Sequence, residues 1–333
     1  MPDPVVVDPT DAVVRVEAAA VCGSDLWSYR GQSTAKPGSR IGHEAVGTVI
    51  ATGDEVTDIA VGDWVIVPFR WSDGVCAACA RGLTTSCEHG GFWGREITEA
   101  CQAELLRVPQ ADGTLVRALP DGSRPDDALV PSMLALADVM GTGYHAALSA
   151  GVGPGSTTVV IGDGAVGQCA IIAARLLGAA RVVALASTHA DRQALARSLG
   201  ADEVITARGD DAVVAVAALT DGAGADQVLE CVGTAQSFST ALAAVRSGGT
   251  VSYVGIPHGV QIDLATLFAR NVTITGGVAP VRHYLPALLP AVLERRIDPG
   301  RVFTDRLGLS EVAEAYRRMD AREALKVLID TSA

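Results

Sequence analysis

The run TTVVIGDGAVGQCAIIAARLLGA, residues 157–179, sets an apolar extended segment against an Ala-rich helical one across a glycine turn. Its glycines, Gly162, Gly164 and Gly167, are spaced G-x-G-x-x-G. In this context each has a job: a tight turn at Gly162, close backbone approach of a diphosphate at Gly164, and helix-to-strand packing at Gly167. The helix N-terminus then carries the phosphate charge. Extended and helical segments keep alternating downstream (RVVALAS, ADRQALARSLGA, ADQVLECVG, FSTALAAVRSGG, TVSYVGI, VTITGGV). That alternation predicts a parallel sheet covered on both faces, over residues 140–278.

A site for NAD would present Asp or Glu to the ribose about 20 residues beyond the third glycine. Here the strand ends in Ser187, followed by Thr188 and His189, with Arg192 just beyond. A carboxylate would repel the 2′-phosphate of NADP, so its absence beside a cation leads to an expectation of NADP(H) over NAD(H).

Residues 11–109 read differently. Short β-rich runs (AVVRVEAAAV, EAVGTVIATG, DWVIVPF) are separated by Gly and Asp turns, the pattern of an antiparallel module. After Ala279 come two helical stretches (LPALLPAVLERR, LSEVAEAYRRMD) and a closing strand (ALKVLID), too little for a domain and expected to pack on the first module. The net charge of −12 argues against nucleic acid or an anionic membrane as partner. Lysine occurs only at Lys36 and Lys326. The start, MPDPVVVDPT, lacks the charged and apolar regions of a signal peptide, and no long apolar run is free of charge, so a cytoplasmic location is expected. Seven cysteines, four of them at Cys76, Cys79, Cys87 and Cys101, suit metal ligation in a reducing compartment better than disulfides.

Three of these cysteines are spaced C-x2-C-x7-C, whereas a closed structural zinc site takes four ligands. A second set of donors is scattered. Cys22 follows an apolar strand, His43 and Glu44 open the next, and Asp138 is an acid inside the apolar stretch LALADVMGTGYHAAL. A buried acid must cap a helix, be paired, or bind a cation.

Taken together, CGSD, GHEAVGTVIATGDEVTDIAVGDWV, C-x2-C-x7-C, D-x3-TGYHAA, VVIGDGAVG, LECVG and VGIP occur in the order seen in the medium-chain zinc-dependent alcohol dehydrogenases, which this sequence resembles over almost its whole length. The resemblance implies an α/β protein. A GroES-like catalytic domain (1–139 and 279–333) would join a doubly wound Rossmann domain (140–278). It implies a cleft zinc on Cys22, His43 and Asp138, where relatives often have Cys at the third position, with Glu44 as a transient ligand. One thiolate, one imidazole and one carboxylate formally neutralise Zn²⁺ and leave a fourth position open for water or a substrate oxygen.

Ser24 matches the family's relay hydroxyl, whereas Trp27 stands where many relatives have His and is expected to wall the substrate pocket. Thr142 matches a position beside the nicotinamide, Phe69 a pocket position, and Ala165, Val166 and Val232 further cofactor contacts. Relatives with the cysteine lobe carry C-x2-C-x2-C-x7-C, which puts the first ligand at Asp73; His89 is the competing ligand and Glu88 a weaker one. Implied partners are a small-molecule alcohol or carbonyl compound and other copies of the chain, as homodimer or homotetramer, paired through the VTITGGV strand. Relatives also begin with a further strand pair ahead of PDPVVVDPTDAVVRV: either the start of this sequence is misassigned, or the module lacks the pair, in which case an exposed sheet edge is expected. The alternatives are a zinc-free quinone reductase-like enzyme, which would not need Cys22, His43 and Asp138 together, and a non-catalytic NADPH-binding protein, which bound cofactor without zinc or turnover would favour.

Overall fold

The computed structural model describes residues 3–32 and 38–331; Lys36 lies outside them. The chain divides into two compact units, Met1–Gly141 with Pro280–Ala333, and Thr142–Ala279. Among the described residues no helix is long and apolar enough to cross a membrane.

The first unit opens with strands β1 (Ala12–Ala20), β2 (Ala45–Thr52), β3 (Trp64–Val67), β4 (Arg70–Trp71), β5 (Gly91–Phe92), β6 (Leu105–Val108) and β7 (Val116–Arg117). The second unit holds β8 (Thr157–Ile161), β9 (Arg181–Leu185), β10 (Glu203–Ile205), β11 (Ala225–Glu230), β12 (Val245–Tyr253) and β13 (Thr273–Gly276). The chain then returns to the first unit with β14 (Asp305–Gly308) and β15 (Val327–Asp330).

In the first unit a single sheet runs β14-β15-β1-β2-β3-β7, with β6 added to β1. Strand β1 pairs with β2 along one side and with β6 and then β15 along the other, so both its edges are covered. The sheet's end strands, β14 and β7, are short, which limits the template they offer to another chain. Val14, Val16, Val49, Val65, Leu106 and Ile329 share one buried cluster with Tyr316 and Met319. The last two lie on the helix Val312–Asp320, whose buried residues Ala315, Tyr316 and Met319 recur at helical spacing. That apolar stripe is what holds the C-terminal segment on the first unit.

The second unit is a six-stranded sheet ordered β10-β9-β8-β11-β12-β13, parallel at every pairing. Its central strands are nearly continuous apolar runs because helices cover both faces. The order reverses beside β8, and ligands of such sheets bind at the carboxyl ends of the strands there.

One surface carboxylate organises a loop of the first unit. Asp112 accepts the backbone N–H groups of Thr57, Asp58 and Ile59 and the Thr57 hydroxyl, at 2.8 to 3.1 Å. Burial alone would raise its pKa, but these bonds, led by the Thr57 N–H, hold it below the ordinary aspartate value. A depressed carboxylate stabilises the fold above its unfolded pKa and loses that contribution as pH falls through the folded value. Asp112→Ala should therefore cost about 1 to 3 kcal/mol at pH 7, read from urea unfolding, with the gap to the native protein closing in acid. A gap that is unchanged at low pH would contradict this role.

Candidate metal centres and dinucleotide loop

In the first unit Cys22 follows β1, His43 and Glu44 immediately precede β2, and Asp138 sits just ahead of the helix Val139–Ser149. All four are buried, and each offers a ligand atom within 4.8 Å of the others. Cys22 Sγ lies 3.5 Å from Asp138 Oδ2, and His43 Nε2 lies 3.4 Å from the same oxygen. Ordinary zinc bond lengths in a tetrahedron set sulfur and oxygen ligands about 3.5 Å apart, and nitrogen and oxygen about 3.3 Å apart. The side chains are thus spaced as ligands of one small cation would be.

The charge balance agrees. Burial, then Asp138, pushes the Cys22 thiol up; burial pushes the Glu44 carboxyl up against the pull of Lys326. Burial would lower His43, yet Asp25 and then Cys22 hold it well above its ordinary value. These are the marks of buried acids crowded together, which a dication relieves. Glu44 Oε2 is buried without a hydrogen-bond partner, while Oε1 accepts from the Lys326 ammonium at 2.6 Å. An orphaned carboxylate oxygen beside three donor atoms fits a divalent metal and is hard to explain without one.

Two residues of this centre escaped the reading of the sequence. Asp25 accepts the Cys22 N–H at 3.0 Å through Oδ2, while its Oδ1 lies 3.2 Å from His43 Nδ1. Engaging Nδ1 leaves His43 Nε2 as the ligating atom, the usual carboxylate–histidine arrangement. Lys326, from β15's approach, pairs with Glu44 and also donates to the Val21 carbonyl at 3.2 Å. Burial would lower its pKa, but Glu44, then Cys22 and Asp138, drive it above the ordinary lysine value. The sequence held signals for both: the last residue of CGSD, and a lone lysine in the apolar run ALKVLID.

Around the centre, the Phe92 and Phe69 rings stand 5.0 and 6.3 Å from the His43 ring. Ser24 is at the N-terminus of the short helix Asp25–Tyr29, which also carries Trp27, half-buried. Thr142, half-buried on the helix Val139–Ser149, belongs to the second unit.

The cysteine lobe closes a second set. Asp73, Cys76, Cys79 and Cys87 offer ligand atoms within 4.8 Å of one another. Cys76 and Cys87 Sγ are 3.8 Å apart, the edge length of about 3.8 Å that two thiolates take on one tetrahedral zinc. Asp73 Oδ1 accepts the N–H groups of Val75 and Cys76, which fixes the carboxylate at the start of the loop. Burial would raise Asp73, but the Cys76 N–H and then His89 hold it far below the ordinary range. His89 lies outside this group. Its Nδ1 lies 2.7 Å from Asp73 Oδ2 and its side chain is 66% exposed, so it backs the aspartate, while Glu88 points to solvent.

In the second unit Gly162 has φ +109°, and a Cβ there would meet Val232 Cγ2 at 2.8 Å; a Cβ on Gly167 would meet the Gly162 carbonyl oxygen at 2.0 Å. Gly164 faces open space and precedes the helix Ala165–Leu176, which begins with Ala165 and Val166. The loop therefore leaves its backbone bare at the helix N-terminus, the cradle a dinucleotide diphosphate needs. Ser187, expected as a cofactor contact beside Thr188 and Arg192, is buried, and its N–H and hydroxyl both bond Asp163 Oδ2, at 2.8 and 2.5 Å. Arg192 is anchored through its carbonyl, which accepts from Gln168 Nε2 at 3.0 Å.

Removing one partner of the Lys326–Glu44 pair strands a charge in the core. Lys326→Met should cost about 3 to 5 kcal/mol in urea unfolding, and adding Glu44→Gln should recover part of it. Equal stability of Lys326→Met and the native protein would contradict the pairing.

Comparison with known proteins follows the same lines. The family model Alcohol dehydrogenase GroES-like domain matches residues 8–121, and Zinc-binding dehydrogenase matches residues 165–294. A probable zinc-binding alcohol dehydrogenase of Mycobacterium tuberculosis is 38% identical over 96% of this chain and 82% of its own length. The solved alcohol dehydrogenase of Thermus sp. ATN1 superposes with a TM-score of 0.90 at 35% identity, covering 99% of this chain and 95% of that one. A zinc-binding dehydrogenase from Sinorhizobium meliloti, solved bound to NADP, superposes at 0.82 with 26% identity, covering 99% and 94%. The chain belongs to the zinc-type alcohol dehydrogenases of the medium-chain dehydrogenase family.

Proposed function

We propose that this chain is a zinc-dependent dehydrogenase that moves hydride between a small alcohol or carbonyl substrate and a nicotinamide dinucleotide, with Cys22, His43 and Asp138 as ligands of the catalytic zinc and Glu44 beside them. The observation that carries the reading is the convergence of these four buried donors within 4.8 Å, one with an orphaned oxygen, with Cys22 and His43 at tetrahedral spacings from Asp138. When bound, zinc supplies a Lewis acid and the nicotinamide a hydride carrier. The chain's own residues do the rest. Asp25 fixes the His43 ring, and Lys326 holds Glu44 by one oxygen and leaves the other, also buried, without a hydrogen-bond partner. Phe69 and Phe92 give the centre an apolar wall that excludes water, and Ser24, next but one to Cys22, is the hydroxyl that passes the substrate proton. Asp73, Cys76, Cys79 and Cys87 hold a second, structural zinc.

The expectation of NADP(H) over NAD(H) draws on the lack of a carboxylate between Ser187 and His189, on Arg192, and on the NADP-bound neighbour. Asp163, bonded to Ser187, removes the first of these grounds.

The unit with the dinucleotide loop also supports self-association. Strand β13 ends the six-stranded sheet, and the helix Leu264–Arg270 before it exposes Leu264 (74%) and Phe268 (87%). An edge strand beside bare apolar side chains suits pairing with a second copy across a two-fold axis.

Zinc per chain, measured by mass spectrometry on protein purified without chelator, should be two. Asp138→Ala should retain one zinc and lose turnover of alcohols, and Asp73→Ala should lose the other and melt at lower temperature. Two zincs in Asp138→Ala would contradict the catalytic assignment. In light scattering after size exclusion, Phe268→Asp should lower the mass from dimer or tetramer toward monomer; an unchanged mass would rule out this face.

A further inference from the structure

The residue between the first two glycines of the dinucleotide loop is Asp163, whose side chain is directed to the end of β9. It is 8% exposed, and one oxygen, Oδ2, takes both the N–H and the hydroxyl of Ser187. Its other oxygen, Oδ1, enters no hydrogen bond among the described residues and stays available as an acceptor. The end of β9 is where a Rossmann site presents its carboxylate to the adenosine ribose. The chain lacks an acid there in sequence, with Ala186, Ser187 and Thr188 in its place, yet gains one in space from the neighbouring strand's turn.

The surroundings keep this carboxylate in position. The Gly162 N–H bonds the Leu185 carbonyl at 3.0 Å, and Gln193 Nε2 bonds the Ser187 carbonyl at 2.9 Å. Gln168, fully buried, reaches both the Asp163 carbonyl, at 3.4 Å, and the Arg192 carbonyl, at 3.0 Å. The turn after β8 and the end of β9 are therefore tied together by the Gly162–Leu185 bond, the Asp163–Ser187 bonds and the Gln168 bridge, and the acid cannot swing away cheaply when a ligand arrives. Ser187, which in sequence reads as a donor left for a phosphate, is already spent: its N–H and O–H both point at Asp163.

We propose that Asp163 is the residue that selects the dinucleotide, accepting the adenosine ribose hydroxyl and turning away a 2′-phosphate, so that the enzyme uses NAD(H) in preference to NADP(H). The inference rests on the dehydrogenase reading above, because it needs a dinucleotide on the Gly162–Gly167 loop. It replaces the cofactor expected from sequence by the one whose charge the folded site tolerates. A phosphate carrying close to two negative charges, placed beside a fixed carboxylate, is repelled in a part of the protein where water screens poorly. Thr188 brings no charge to offset this, and Arg192 is the one cation near enough in sequence to oppose it.

The test is equilibrium binding of NAD⁺ and NADP⁺ to the zinc-loaded enzyme by titration calorimetry, which needs no substrate. The native protein should bind NAD⁺ about tenfold or more tightly than NADP⁺. Asp163→Asn keeps an acceptor for Ser187 and should shift the ratio about tenfold toward NADP⁺; Asp163→Ser should do the same if the amide packs poorly. Ser187→Ala keeps the charge, so it should weaken both cofactors and leave the ratio unchanged. NADP⁺ bound more tightly by the native protein, with the preference lost in Arg192→Ala, would overturn the inference while leaving the dehydrogenase intact. A ratio unmoved by Asp163→Asn would reduce Asp163 to a tether and overturn it as well. No binding of either dinucleotide by folded protein would remove the dehydrogenase reading itself.

Discussion

Buried charge must be compensated inside the fold, and in the first unit that requirement falls on Lys326 and Glu44. Both are essentially inaccessible to water, with 1% and 0% of their side chains exposed, and the pair closes at 2.6 Å. Desolvating two ions costs several kcal/mol each, and their attraction repays it only with good geometry and further hydrogen bonds. The Val21 carbonyl and the face of the Phe303 ring supply the ammonium with the rest of its shell. Glu44 is fixed at one oxygen, its other oxygen is buried without a hydrogen-bond partner, and the residue groups with Cys22, His43 and Asp138. The C-terminal segment therefore contributes more than apolar packing to the first unit: β15 borders β1, and the lysine just ahead of it anchors the acid of the candidate metal centre.

The cysteine lobe solves a related problem with less burial. Three thiolates and an aspartate would leave a net negative charge around a dication, and the lobe meets its donors with backbone N–H groups. Asp73 takes the N–H groups of Val75 and Cys76, and the Asp73 N–H itself donates to Cys87 Sγ at 3.3 Å. Arg282, from the helix Val281–Leu293, is mostly buried and donates to the Asp112 carbonyl at 2.7 Å; burial lowers its pKa, while Cys79 acts in the opposite sense. Gly82 lies so close to His283 on the same helix that a Cβ there would meet the ring at 2.9 Å. The loop and the C-terminal segment are thus built against each other within one unit.

What could be read from the sequence divides along physical lines. Steric jobs were legible: Gly162 and Gly167 are demanded by contacts at 2.8 and 2.0 Å that any side chain would make, and their spacing announces a helix after a strand. Donor types were legible too, since His43 and Asp138 are costly to bury unpaired, and the resemblance to relatives with the cysteine lobe puts its first donor at Asp73. Partnerships across the fold were not. Lys326 and Glu44 are 282 residues apart, and no local pattern couples them. The contact at the end of β9 was hidden for the same reason: Asp163 and Ser187 are separated by 24 residues, and counting along β9 alone misses an acid that arrives from the adjacent strand's turn. His89 shows the converse, a metal-ligand type at ligand spacing that the fold turns outward onto Asp73.

The central claim is that the chain builds two zinc sites of different composition, one with a single sulfur and one with three. Zinc X-ray absorption on fully loaded protein reads the mean number of sulfur neighbours directly. Cys22 in one site and Cys76, Cys79 and Cys87 in the other predict a mean of two sulfurs per zinc at about 2.3 Å, with nitrogen and oxygen at about 2.0 to 2.1 Å completing the shells. A mean near three would show zinc in the lobe alone, and a mean near zero would show zinc in neither set of ligands; either would contradict the account.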